Sequence, residues 1–189
     1  MRLTMDVPYE PHPGDGFLVP MPGWGGTGIK VAQWLAADGW TKYQHAGTFV
    51  GDVDSWDGMR TVEAYPGGAI VGRIDRYDPD SIVWLRCPPA YRDAVAAAAL
   101  AYVDVPYSFA DYGALSLHRF HIPAPHLQEF IARRKSMICS QLVDAAAADG
   151  GWHIFDDDRW PGFVTPNDLG KAARLQLPGG YVERVKVSR

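Results

Sequence analysis

Residues 43–87 leave little freedom in how this chain can fold. Four runs rich in β-branched and aromatic residues, Tyr43–Val50, Thr61–Tyr65, Ala69–Asp75 and Ile82–Cys87, follow one another closely. The segments between them are Asp52 to Gly58, Pro66-Gly67-Gly68 and Tyr77-Asp78-Pro79-Asp80, whose Gly, Pro and Asp content favours chain reversal. A parallel pair needs a crossover of about a dozen residues or more, usually a helix, and none of these gaps holds one. The expected arrangement is an antiparallel meander. A further short strand, Phe17–Val19, follows the irregular Pro- and Gly-rich stretch Pro8–Gly16.

Helical segments surround this block. Ile29 to Ala37 is amphipathic and stops at Asp38-Gly39, and Pro88-Pro89 opens a helix to Tyr102 with Val95, Ala98, Ala99 and Tyr102 on one face. Shorter helices are expected at Phe109–Leu117 and Gln128–Arg134. An alanine-rich helix begins near Cys139 and stops at Asp149-Gly150-Gly151. Thr165-Pro166-Asn167-Asp168-Leu169 reads as a cap and helix start, and Tyr181–Val187 as a final strand. No internal repeat and no linker interrupts the pattern. The expectation is a single α+β domain over residues 1–189.

Composition narrows the function classes. Hydrophobic residues make up 47% and charged residues 21%, the usage of a protein with a core. A net charge of −4 argues against phosphate-backbone binding, so no nucleic-acid partner is expected. The longest apolar run, Ala94–Val103, is too short to span a bilayer, and the N-terminal residues carry no apolar signal core. Compartment therefore stays open: cytoplasmic by default, with release or a virion as alternatives. Two cysteines, Cys87 and Cys139, make no disulfide framework and read as reduced thiols.

Cys139 stands in the first turn of its helix, where unpaired N–H groups and the positive end of the helix dipole favour a thiolate. The N–H groups of Cys139 and Ser140 are candidates for binding an oxyanion. His45, on the Tyr43–Val50 strand, is the candidate base, with Gly47 leaving room beside it. Glu63, within a strand between apolar neighbours, needs a partner if it faces inward, and orienting the imidazole would supply one. The plainer alternatives are a core cysteine, a satisfied core histidine and an exposed strand carboxylate. Cys87 lacks the helix-start setting and reads as structural. Gly23 to Gly28 with Lys30 lacks the ending of a phosphate loop. His118, His121 and His126 lack companion ligands, and Asp156-Asp157-Asp158 lacks the alternation of a calcium loop, so no metal or other cofactor is expected.

Taken in order, Pro13-Gly14-Asp15, the Ile29–Trp34 helix, His45-Ala46-Gly47, Val62-Glu63-Ala64, Val105-Pro106-Tyr107-Ser108-Phe109, Cys139-Ser140-Gln141-Leu142-Val143 and Thr165-Pro166-Asn167-Asp168-Leu169 resemble the permuted branch of the NlpC-type papain-like cysteine hydrolases. This is the YiiX-like group related to lecithin retinol acyltransferase. Histidine precedes cysteine, the reverse of papain-like order, which is what circular permutation produces. The resemblance spans about residues 13 to 170. The chain departs from the group at Met137-Ile138, where aromatic residues are common, and at Gln141, where an acidic residue is.

The resemblance implies a papain-like antiparallel sheet with helices packed on it and the nucleophile at a helix N-terminus. It implies Cys139 as nucleophile, His45 as base and Glu63 as the orienting residue. Asp15, Trp24, Tyr107 and Ser140 are the candidate substrate contacts. The implied reaction is cleavage of an amide, first of all in a peptidoglycan-type peptide. One alternative is a lipid-directed acyl hydrolase or acyltransferase on the same residues. Another is a non-catalytic binding or assembly module in a phage or cell-envelope structure. The expected partner is thus a peptide or acyl small molecule, with no stable membrane insertion and the oligomeric state open.

Overall fold

A computed structural model of the chain describes residues 9–20, 43–51, 60–106, 137–155 and 164–176. Among them are five strands: β1 (Gly16–Val19), β2 (His45–Phe49), β3 (Arg60–Tyr65), β4 (Gly68–Arg73) and β5 (Val83–Leu85). Three α-helices accompany them: α1 (Arg92–Ala101), α2 (Cys139–Asp149) and α3 (Pro166–Leu175). The protein is α+β. The expected helices at 29–37, 109–117 and 128–134 and the strand at 181–187 lie outside the described residues.

The strands form one antiparallel sheet in the order β4-β3-β2-β1-β5. Only β2, β3 and β4 follow the meander that the turn residues predict. The fifth strand departs from it: β5 does not pair with β4 but joins the far edge beside β1. The reason lies at Ile74. The strand stops at Arg73, and Ile74 turns inward as the start of a 3₁₀ turn, Ile74–Arg76. A second 3₁₀ turn, Pro79–Ser81, follows, capped by Asp78 accepting from the Asp80 N–H at 3.1 Å. The Tyr77–Asp80 signal therefore marks a bend in a crossover rather than a hairpin. Ile74, Tyr77, Ile82 and Trp84 pack against Phe17, Val19 and Phe49, so this crossover covers one face of the sheet.

Strand alternation puts Leu18, Ala46, Val62, Ala64 and Ala69 on the opposite face. There they meet Ala96 and Ala99 of α1, Leu142, Val143 and Ala146 of α2, and Leu169 and Ala173 of α3. Small side chains dominate the α1–α2 contact, which lets two helices lie close to one sheet. Pro88-Pro89 opens a 3₁₀ turn, Pro89–Tyr91, before α1 becomes regular.

Alanine and leucine favour helix through α2, and its end is built into Gly150-Gly151. Gly151 adopts φ +84°, the Gly151 N–H donates to Ala148 O at 2.9 Å and the Trp152 N–H to Ala147 O at 2.8 Å. That pair of bonds is a Schellman ending. At the start of α3, Thr165 Oγ1 accepts from the Asp168 N–H at 3.2 Å and Asp168 Oδ2 accepts from the Thr165 N–H at 3.2 Å, a complete capping box.

Candidate active site

Cys139 is the first residue of α2 and His45 the first residue of β2. Both ends meet where the helix layer adjoins the start of that strand, and the Cys139 thiol and the His45 imidazole are hydrogen-bonding partners. On its other side, His45 Nε2 lies 2.8 Å from Glu63 Oε2. With Nε2 committed to Glu63, Nδ1 is the nitrogen left to face the thiol. All three side chains are buried.

Burial by itself pushes the imidazole toward its neutral form. The hydrogen bonds and negative charges of Cys139 and Glu63 outweigh that penalty and raise the His45 pKa from 6.5 to about 9. Glu63 shows the complementary balance. Burial raises its pKa, but the bond and charge of His45, then the Thr61 and Tyr77 hydroxyls, bring it down to about 2. At neutral pH the pair is a carboxylate beside an imidazolium.

Glu63 is held from several sides. Thr61 Oγ1 donates to Oε1 at 2.5 Å, and Arg76 Nη2 approaches the same oxygen at 3.4 Å. The Tyr65 and Tyr77 hydroxyls lie 2.9 Å and 2.6 Å from Oε2. The Tyr65 ring also rests on the imidazole, with centroids 4.6 Å apart, and the Arg76 guanidinium lies over the rings of Tyr65 and Tyr77. Sequence reasoning missed these four residues. Thr61 and Tyr65 were within its reach, because positions two before and two after Glu63 share its face of the strand. Arg76 and Tyr77 were not, because they arrive on the crossover.

The room beside His45 at Gly47 is filled. A Cβ on Gly47 would stand 2.6 Å from the Phe17 ring and 2.7 Å from Glu63 Cγ, so glycine here serves close packing rather than an open cleft. Ser140 is buried, and its hydroxyl donates to Val164 O at 2.7 Å, tying α2 to the lead-in of α3. The Gln141 amide oxygen accepts from the Ile138 N–H at 2.9 Å, which gives this position a capping task. The N–H groups of Cys139 and Ser140 lie in the first turn, where the helix supplies no acceptor.

Asp15, expected among the substrate contacts, is a buried strut. Oδ1 accepts from the Cys87 N–H at 2.7 Å, and Oδ2 accepts from the His12 N–H at 2.7 Å and the Tyr9 hydroxyl at 2.8 Å. Cys87 is buried, with its thiol 3.6 Å from Pro88 O; burial first, and then the charge of Asp15, push its pKa up to about 12. Trp24 and Tyr107 lie outside the described residues, as do His118, His121, His126 and Asp156-Asp157-Asp158. Among the described residues, no group of three His, Cys, Asp or Glu side chains is placed to hold a metal ion, and no helix is long and apolar enough to cross a membrane.

Compared with models of protein families, with curated proteins and with solved structures, the chain matches none of them.

Proposed function

We propose that the protein is a cysteine hydrolase, a circularly permuted relative of the papain-like NlpC-type enzymes, that cleaves an amide bond through an acyl-enzyme. The observation that carries the reading is the chain of contacts from Cys139 at a helix N-terminus, through His45, to Glu63. Each residue supplies what the chemistry needs. The helix start and the imidazolium favour the thiolate, and Glu63 fixes the ring so that one nitrogen faces the sulfur.

In this reading the Cys139 thiolate attacks the carbonyl carbon, and the carbonyl π electrons move to oxygen. The first-turn N–H groups of α2, those of Cys139 and Ser140, stabilise the oxyanion. As the tetrahedral intermediate collapses, the C–N bond breaks and the imidazolium gives its proton to the departing amine. A thioester remains on Cys139. Neutral His45 then takes a proton from water as its oxygen attacks the thioester carbon. Collapse releases the acid and restores thiolate and imidazolium. A peptidoglycan-type peptide is the substrate class that the sequence resemblance favours.

The test is a pH series of iodoacetamide alkylation rates, resolved by site with mass spectrometry. Cys139 should react at least tenfold faster than Cys87 at pH 7 and keep reacting below neutrality. Identical profiles for the two thiols would remove the nucleophile, and with it the hydrolase, in favour of a binding module.

A further inference from the structure

Strand β3 and the crossover bring one phenol each to the same oxygen of Glu63, and their contacts outnumber their protons. Tyr65 and Tyr77 both approach Oε2, at 2.9 Å and 2.6 Å, and their hydroxyls are also in hydrogen-bond contact with each other. The same Oε2 takes His45 Nε2 at 2.8 Å. Each phenol carries one proton, and an ionised carboxylate can only accept. Three oxygen–oxygen contacts therefore share two protons, and one contact holds none. Both phenols stay protonated, because burial and the Glu63 charge raise their pKa values.

If both phenols donated to Oε2, the Tyr65 and Tyr77 oxygens would face each other with no proton between them while Oε2 accepted three bonds. If Tyr65 donates to Tyr77, the contact without a proton becomes the longest of the three, Tyr65 to Oε2 at 2.9 Å, and Oε2 accepts two bonds, its lone-pair capacity. The distances choose which phenol ends the relay, since Tyr77 makes the closer approach to Glu63. Tyr77 also belongs to the crossover, so it ties the carboxylate to a second element, whereas Tyr65 shares β3 with Glu63.

We infer that Tyr77 is a positioning residue, the donor that locks the Glu63 carboxylate against His45, while Tyr65 donates to Tyr77 and supports the imidazole face. Its consequence for thiol activation rests on the hydrolase reading; the hydrogen-bond order does not. The other groups facing Glu63 are His45 from β2, Thr61 from β3 and Arg76 from the crossover.

The experiment follows the Glu63 side-chain carboxyl carbon by NMR between pH 2 and 7, in the full chain and in Tyr77→Phe and Tyr65→Phe. Both substitutions keep the ring. Losing the final donor should raise the Glu63 midpoint by about one pH unit, a tenfold change in proton affinity. Tyr65→Phe should move it less than half as far, since Tyr77 still donates directly. An equal or larger shift in Tyr65→Phe, or no shift in Tyr77→Phe, overturns the order. Should Tyr77→Phe not fold, the hydroxyl proton of Tyr77 in the unaltered protein decides: magnetisation transfer to the Glu63 carboxyl carbon supports the order, and transfer from the Tyr65 proton instead refutes it. Cys139 alkylation on the same samples separates the two ideas. A shifted Glu63 midpoint with unchanged Cys139 labelling leaves the positioning order standing and removes its consequence for thiol activation. Cys139 labelling no faster than Cys87 in the unaltered protein removes the hydrolase reading and leaves the order untouched.

Discussion

Glu63 is the register partner of Gly47, yet its carboxylate reaches diagonally to His45, two residues along β2. Diagonal neighbours on adjacent antiparallel strands stand about 7–8 Å apart at Cα, so the side chain must lean along the sheet to close the gap. Gly47 permits this by presenting no side chain where Glu63 Cγ and the Phe17 ring converge.

Gly47→Ala should therefore act on the site as well as on stability. The added methyl would press on Phe17 and on Glu63 Cγ, with an overpacking cost of about 1–3 kcal/mol. Displacing Glu63 removes one of the two partners that raise the His45 pKa, so the imidazole should titrate below about 9. Denaturant melts and a His45 NMR titration together check this. A destabilised variant with an unmoved His45 midpoint would show that Glu63 keeps its reach without the glycine.

Removing the imidazole tests its hold on the thiol. In His45→Ala, Cys139 keeps the helix start but loses the cationic partner. Its alkylation profile should move to higher pH and its rate at pH 7 should fall by about tenfold or more. Cys87, held far from reactivity by burial and Asp15, should label as slowly as before. Site-resolved labelling of both cysteines in one sample is the measurement. A parallel fall at Cys87 would point to a general structural change.

Much of this arrangement was legible in the strand pattern. Period-two alternation places His45, Gly47 and Phe49 on one face, and an inward Glu63 needed a partner; the structure pairs it with His45. The Thr165 cap and the Gly150-Gly151 stop follow from local chemistry, and they stand as read. What escaped was the path of residues 74–82. Turn residues look alike whether the chain reverses into a hairpin or bends across a face. Only the burial of Ile74 against Phe17 and Phe49 separates the two, and that contact is long-range. The same blind spot hid Arg76 and Tyr77 behind Glu63.

The coupled pair also sets a pH window for stability. His45 titrates at about 9 in the folded protein against 6.5 as a free side chain, so its contribution is fully present below 6.5 and is lost as pH rises through about 9. Glu63 titrates at about 2 against 4.5, so its contribution is present above 4.5 and is lost as pH falls through about 2. Stability from this pair should therefore be full between about 4.5 and 6.5 and decline on both sides. Chemical denaturation from pH 3 to 10 checks the shape. His45→Ala should flatten the alkaline decline, and an alkaline limb of equal slope in that variant would assign the loss to other groups.

Asp15 separates a structural task from a substrate contact. Its carboxylate satisfies the N–H groups of His12 and Cys87 and the Tyr9 hydroxyl, joining the lead-in segment to the end of β5. Asp15→Ala would leave the buried Cys87 N–H without its acceptor, at about 1–3 kcal/mol. It would also take the shared acceptor from the half-buried His12 N–H and Tyr9 hydroxyl, a sizeable loss against a domain's usual stability of about 5–15 kcal/mol. Asp15→Asn is the gentler change: it keeps the size but turns one accepting oxygen into a donor facing other donors. It should lower the denaturation midpoint clearly while Cys139, measured where the variant is still folded, alkylates at its usual rate. Unchanged stability with altered Cys139 reactivity would return Asp15 to the substrate site.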